Sequence, residues 1–395
     1  MPPGAVRAAA LLLALLLGSS SVAPAAAARR LAGGVSLDRD VGTPPVYAQW
    51  DYIVNTWNKD PQLTPLLSVL REFQLPSAQV AIQFNTLSDT IWHTGQQFDA
   101  ASRNPKYWWA AGFGVPYNAP MRVASVSKPI TAAVWRTPAL AAWLDKPFYA
   151  AWETYVGDLP EPLDARVKAI TPRHLLAHTS GFSNAAIGFD PAFQGKSVAM
   201  QIGGILTSTM LTGDPGSNDS YSNFGYMILA RLAAGIRRRS WSSLVRGLFP
   251  AGAPVFSARD TLAWPATNVS AAEVGIYYVQ KPDTQFDASV MAGNGAVVSN
   301  AVTLSWFGTN YWVGGVDLVG KKLSAAPSKP GQEWSWIMDG SMPGTLAALV
   351  QYVNPQGRVA SACIITNTRV PDSGDFLDKI NGAALTMLQT KFKDL

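Results

Sequence analysis

The spacing of apolar positions changes along the chain and divides it into stretches of different character. From Tyr47 to Phe73, Trp50, Ile53, Trp57, Leu66, Leu67 and Leu70 recur at helical spacing, and Asp60-Pro61 interrupts them, so two helices meeting at a kink are expected. Leu75-Pro76 ends that stretch, and Ala78 to Phe84 alternates as a strand does. Asp89 to Pro120 is rich in Gly, Asn, Trp and Tyr with no clear period, which suits turns or strand hairpins. Ile130 to Leu144, with a break at Pro138, His174 to His178 and Phe224 to Ile236 read as helices. Proline-rich loops such as Leu159 to Leu163 separate them, so the middle of the chain is helical.

The last third changes character again. Thr345 to Val353 and Arg358 to Thr366 are β-rich runs joined by Asn354-Pro355-Gln356-Gly357, a hairpin signal. Phe376 to Phe392 has the pattern of an amphipathic helix that would cover this sheet beside the N-terminal helices.

Composition bounds the picture. The chain has 395 residues, 48% hydrophobic and 14% charged, so it can bury a large core and is not of disordered type. That length fits one enzyme-sized domain with an inserted subdomain, or two domains. The net charge of +5 is small, and the longest basic run is Arg237-Arg238-Arg239 at the end of an apolar helix, which argues against nucleic acid as a partner.

Residues 1–28 carry Arg7, the apolar run Ala8 to Gly18 and then small residues with A-x-A options, the pattern of a signal peptide. A secreted protein is expected, with a plastid transit peptide as the alternative because no acidic residue precedes Asp38. The apolar run is too short for a membrane span, and no later stretch is long and apolar enough. Residues 29–45 read as a linker, with folded structure starting near Val46. Cys363 is the single cysteine, which excludes an internal disulfide. Sequons at Asn218-Asp219-Ser220 and Asn268-Val269-Ser270 would suit an exported glycoprotein.

Ser125-Val126-Ser127-Lys128 opens an apolar helical stretch, where positions three apart share a face. A serine hydroxyl needs a neighbouring base to attack a carbonyl, and a lysine kept neutral by burial can serve. By itself the pair is weak evidence, since about one or two would arise by chance in such a length. Tyr221-Ser222-Asn223 stands just before the helix at Phe224 and can point a phenol and an amide into a cleft. The tyrosine would act as a base only where a cation such as Lys128 stabilises the phenolate. Tyr352-Val353-Asn354 has the same spacing but sits at the hairpin turn, where Asn354 is a turn residue. Gly340-Ser341-Met342-Pro343-Gly344-Thr345 leads into a β-rich run, and its small residues would let a substrate lie against a strand edge.

Other chemistries fit less well. His174 and His178 are four apart on an expected helix capped by Thr171 and started by Pro172, so both could face one metal ion. Leu175 stands where a zinc protease needs Glu, and His93 is the only other histidine, so no metal or other cofactor is expected. Gly195-Lys196-Ser197 has the end of a phosphate loop, but Asp190 occupies the position of its first glycine. No G-x-S-x-G elbow occurs.

Taken in order, Arg122 to Lys128, Ile170 to Gly181 (ITPRHLLAHTSG) and Tyr221 to Tyr226 (YSNFGY) resemble the class C β-lactamase-like serine hydrolases of the penicillin-binding-protein and β-lactamase superfamily. The similarity continues through Asn294 to Ser299 and on to Gly344-Thr345, covering roughly Leu75 to the C-terminus. The resemblance implies an α+β fold, an antiparallel sheet flanked by helices. A mostly helical subdomain would be inserted over roughly residues 130–285 within a single domain 46–395. It further implies that Ser125 is acylated, that Lys128 and Tyr221 share the proton transfers, and that Asn223 holds the substrate amide or Lys128. The N–H groups of Ser125 and Ser341 would form the oxyanion hole beside Gly340, while the His174 to Gly181 segment would be scaffold.

One position departs from the family pattern. Met338 stands two residues before Gly340, where relatives carry Lys or His. That argues against potent β-lactamase or carboxypeptidase activity and for an esterase or amidase acting on small-molecule or peptide-like substrates without a carboxylate. The alternative is a catalytically idle relative that keeps the cleft for binding or scaffolding. Oligomeric state is not legible in the sequence.

Overall fold

Strand β7, Thr345–Val353, is buried along all nine of its residues, because both faces of its sheet are covered. The computed structural model describes residues 64–85, 108–257, 288–323 and 331–393, except positions 76, 114, 116–118, 195, 218 and 316. The leader, the linker, the Asp60-Pro61 kink, His93 and the sequon asparagines Asn218 and Asn268 lie outside the described residues.

Around β7 the strands β1 (Ala78–Asn85), β2 (Trp108–Phe113), β6 (Trp334–Met342) and β8 (Val359–Thr366) form a sheet in the order β2-β1-β8-β7-β6. Every neighbouring pair is antiparallel. The hairpin expected at Asn354 is present between β7 and β8, closed by the Asn354 N–H to the Arg358 carbonyl, with Gly357 at φ 76°. Positive φ costs a glycine little. The residues at 89–120 that showed no period include β2, while the rest of 89–107 lies outside the described residues.

Side chains alternate across the sheet as strand geometry requires. Val80, Ile82, Leu346, Val350, Tyr352 and Ile364 face one layer, with α1 (Thr64–Glu72) and the C-terminal helix Ser373–Phe392 supplying Leu66, Leu70, Phe376, Ile380 and Leu388. Ala81, Leu349, Cys363 and Ile365 face the opposite, larger core. Cys363 is fully buried and its thiol is pushed well above its usual range by burial, so it is inert packing. Tyr352, the tyrosine of the second Tyr-x-Asn triplet, belongs to the first of these cores, and Asn354 donates to the Phe392 carbonyl.

The larger core is helical. It contains α2 (Ser127–Trp135), α3 (Phe148–Tyr155), α4 (Pro172–Leu176), α5 (Val198–Ser208) and α6 (Asn223–Arg237), with α7 (Ala301–Asn310) against the sheet. The C-terminal helix Ser373–Phe392 is α8. The helix expected over 130–144 begins earlier, at Ser127, and Pro138 starts a separate short helix. Between the two, proline's fixed φ suits a first helical position. Three short strands, β3 (Met121–Arg122), β4 (Phe256–Ser257) and β5 (Val297–Ser299), pair in the order β3-β5-β4. Among the described residues no helix is long and apolar enough to cross a membrane.

Candidate active site

Ser125 lies in a single 3-10 turn, Ala124–Val126, immediately before α2. Ala124 adopts φ 47°, a left-handed conformation uncommon for alanine, so the backbone is bent sharply where the serine emerges. Edge strand β6 presses on this turn. A Cβ at Gly340 would lie 2.4 Å from the Val123 carbonyl oxygen and 3.1 Å from the Ser125 nitrogen, so only glycine lets the strand approach so closely. Ser341, the next residue, is exposed beside it.

Lys128 comes from the first turn of α2 and is almost wholly buried, 2% exposed. Its Nζ is 2.9 Å from Ser125 Oγ, 2.5 Å from Tyr221 Oη and 3.0 Å from the Asn294 carbonyl oxygen. Among the described residues no carboxylate pairs with it directly. Burial pushes its pKa down to about 7, opposed only by the more distant charge of Asp190. The Asn294 segment is tied to the same helix, since Ser127 Oγ accepts from the Val297 N–H and Thr131 Oγ1 donates to the Gly293 carbonyl.

Tyr221 completes the triangle, its Oη 2.6 Å from Ser125 Oγ. The residue is 44% exposed, while its hydroxyl end is turned in to Ser125 and Lys128. Burial of that end pushes the phenol up to about 12; the hydrogen bond with Ser125 works against this and the charge of Asp190 adds to it. At neutral pH the tyrosine is a phenol and the lysine is the group poised to lose a proton.

His178 supports the tyrosine from behind. It stacks on Tyr221 with ring centres 4.7 Å apart, and its Nδ1 accepts the Ser222 N–H at 3.1 Å. The expected helix ends at Leu176, so His178 lies past it with φ 59° and does not share a helical face with His174. His174 is engaged in a capping box with Thr171. The two histidines therefore do not share the helical face that one metal ion would need. Burial, and secondarily the charge of Lys128, push the His178 imidazole down to about 3, so it is neutral and acts as an acceptor. Among the described residues, no group of three His, Cys, Asp or Glu is arranged to hold a metal ion.

Asn223, the first residue of α6, makes no hydrogen bond to Lys128. Its Nδ2 donates instead to Asp190 Oδ2 at 2.9 Å, and the position expected to hold the lysine is filled by the Asn294 carbonyl. Met338 is partly buried in the larger core, on the face of β6 that carries Gly340 and Met342. Sequence reasoning missed three contributors. Asn294 acts through its backbone, which no side-chain pattern reports, His178 acts by stacking, and Asp190 stood out only as a break in a phosphate-loop pattern.

Known proteins share the fold. The beta-lactamase family model matches residues 99–350. The D-amino acid amidase of Ochrobactrum anthropi SV3 superposes with a TM-score of 0.55 at 16% identity, covering 82% of this chain and 99% of that one. A beta-lactamase/D-alanine carboxypeptidase from Yersinia pestis gives a TM-score of 0.51 at 15% identity, covering 84% of this chain and 100% of that one. At such identities the likeness is one of fold. Among curated proteins, the probable fimbrial assembly protein FimD, serogroup H1, of Dichelobacter nodosus is 31% identical over 167 residues. That match spans 40% of this chain and 40% of the relative's length.

Proposed function

The chain belongs to the beta-lactamase family, and on that premise we propose that it is a serine hydrolase of esters or amides working through an acyl-enzyme on Ser125. The observation that carries the reading is the triangle of Ser125 Oγ, Lys128 Nζ and Tyr221 Oη, closed at 2.9, 2.5 and 2.6 Å around an amine with a pKa near 7. Neutral Lys128 accepts the serine proton as Oγ bonds to the substrate carbonyl carbon. The Ser125 and Ser341 N–H groups receive the oxyanion where β6 lies against the serine turn. Tyr221, a phenol at working pH, passes a proton to the departing amine or alkoxide as the carbonyl–heteroatom bond breaks, and Lys128 hands the proton it took from Ser125 on to Tyr221 Oη across their hydrogen bond, so that both groups regain their starting states. Water then attacks the ester on Ser125, returning the acid and free serine. The D-amino acid amidase and carboxypeptidase among its fold neighbours act on amide bonds by name, which suits this chemistry.

A non-catalytic binding role is the competing reading, and Met338 is the residue that favours it. Intact-mass spectrometry after treatment with a fluorophosphonate separates the two. One adduct that is lost in Ser125→Ala is expected. A wild-type protein that stays unmodified would make the binding role the better account.

A further inference from the structure

Asn294 stands where the elements carrying Lys128 and Tyr221 meet, and its role there rests on the hydrolase reading above. It lies in the segment Gly293-Asn294-Gly295, between the 3-10 turn Ala288–Met291 and β5. A Cβ at Gly293 would collide with the Tyr226 carbonyl of α6, and one at Gly295 would meet the Ala124 backbone at 3.8 Å. The segment is therefore wedged between the helix that follows the tyrosine and the turn that carries the serine. Thr131 Oγ1 of α2 donates to the Gly293 carbonyl at 2.6 Å and ties the segment to the lysine helix as well.

Asn294 uses both its main chain and its side chain. Its carbonyl accepts from Lys128 Nζ at 3.0 Å, and its Nδ2 donates at 3.1 Å to the carbonyl of Asn223, two residues past Tyr221. Both bonds are buried, and the residue is only 2% exposed. Its Oδ1 is buried with no hydrogen-bond donor. An asparagine that leaves a buried acceptor unpaired is a poor choice for stability alone. What it adds is an amide bridge from the lysine's acceptor to the tyrosine turn.

The bridge has a chemical consequence for the lysine. A neutral amine has two N–H groups and one lone pair, and a carbonyl can only accept. One lysine N–H is thereby committed to Asn294. The other two neighbours, Ser125 Oγ and Tyr221 Oη, share the remaining N–H and the lone pair. Once the lone pair has taken the serine proton, the N–H free to pass a proton on is the one facing Tyr221.

We propose that Asn294 is a positioning residue that makes Lys128 a directional proton relay, in from Ser125 and out to Tyr221, by occupying the amine's third position and clamping that acceptor to the tyrosine turn. The serine proton goes to Nζ as Oγ bonds to the carbonyl carbon. A proton on Nζ then goes to Tyr221 Oη as the phenol's own proton goes to the leaving heteroatom, whose bond to carbon breaks. The bridge matters most where the leaving group must be protonated to depart.

The test exploits leaving groups. p-Nitrophenolate departs without a proton, whereas the ethoxide of an ethyl ester needs one, so only the ethyl ester draws on the outward step. In Asn294→Ala the carbonyl stays and the bridging amide is lost. kcat/KM for ethyl butyrate should fall about tenfold more than for p-nitrophenyl butyrate, the size of one hydrogen bond felt in the transition state. The melting temperature should change little, because the orphaned Oδ1 is removed together with the amide. Thr131→Val, which frees Gly293 from α2, should give the same ester pattern and serves if Asn294→Ala does not fold. A readout without turnover is the Lys128 titration, followed by 13Cε NMR in lysine-labelled protein. Its midpoint should fall in Asn294→Ala, because the acceptor for the ammonium is held less firmly. Equal losses for the two esters would overturn the proposal, and so would a lysine midpoint that does not move. Fluorophosphonate labelling of Ser125 with an unchanged ester ratio removes this inference and leaves the hydrolase reading intact. A wild type that neither labels nor turns over removes that reading, and the lysine midpoint then decides whether Asn294 positions the amine.

Discussion

Lys128 Nζ stands 2.5 Å from Tyr221 Oη, and the two groups are shifted in opposite directions by the same burial, the amine down to about 7 and the phenol up to about 12. The lysine must be neutral to accept a proton from Ser125, so its titration sets the acid side of the rate profile. For a neutral ester substrate, kcat/KM should rise tenfold per pH unit below about 7 and level off above it. A stopped pH series with p-nitrophenyl acetate reads this directly. A midpoint nearer the ordinary lysine value of 10.5 would assign the base to another group.

The same burial has a consequence for stability. Folded Lys128 has a pKa near 7, below the 10.5 of an exposed lysine, so between these values the unfolded chain binds more protons than the native one. Native stability therefore rises with pH across that window, and below about 7 the full cost of the buried amine is present. Lys128→Met should abolish activity and raise the melting temperature, more at pH 6 than at pH 9. A melting curve that falls equally at both pH values would mean that the amine's hydrogen bonds outweigh its desolvation.

How far the site was legible in the sequence follows from which part of each residue does the work. Ser125 and Lys128 are three residues apart and Tyr221 stands in its own Tyr-x-Asn triplet, both local patterns, and the structure brings the three side chains together. Asn294 contributes a carbonyl oxygen that any residue could supply, so only the fold reveals it. The β-rich runs Thr345 to Val353 and Arg358 to Thr366 and the helical pattern of Phe224 to Ile236 form the strands and the helix expected of them, because tertiary packing buries both strands throughout and most of the helix. The helix expected to reach His178 stops at Leu176, and the backbone turns left-handed at His178 to bring its ring under Tyr221. Local spacing carries no sign of that long-range stack. The neutral lysine depends on burial contributed by several elements, which is likewise invisible to a motif.

His178 can be separated from acid–base chemistry by experiment. Its imidazole, pushed down to about 3, stays neutral across the working range, so its value lies in the stack on Tyr221 and the bond from the Ser222 N–H. Asparagine tolerates the left-handed backbone better than most residues but cannot stack in the same way. In His178→Asn, kcat should fall about tenfold, the size of one aromatic contact and one hydrogen bond, with the acid midpoint still near 7. Loss of that midpoint would instead identify the imidazole as the titrating base.

Gly340 makes a sharper steric demand. The missing side chain leaves room for the Val123 carbonyl, which a Cβ would meet at 2.4 Å, and backbone on both sides gives little room to adjust. Gly340→Ala should cost about 1–3 kcal/mol of stability. It should also push β6 away from Ser125, lowering kcat by about a hundredfold because small displacements of reacting groups are expensive. Thermal melts and kinetics at one temperature measure both effects. A variant with normal kcat would show that the strand edge does not position the reacting carbonyl.

Met338 shares the face of β6 that carries Gly340 and brings no cation there. Asp190 is the charge that acts on the phenol, and it raises the pKa further. A basic group at 338 would act in the opposite sense, stabilising negative charge on the phenol oxygen or donating to the reacting carbonyl. Met338→His should therefore raise kcat for p-nitrophenyl acetate by about tenfold or more, the range of one charge-assisted hydrogen bond felt in the transition state. The gain should be greatest below the imidazole pKa, in opposition to the neutral fraction of Lys128, so the pH optimum should narrow as well as rise. Unchanged or lower turnover would mean that the wall at Met338 is too far from the reacting atoms to matter and that the site is already complete without a cation there.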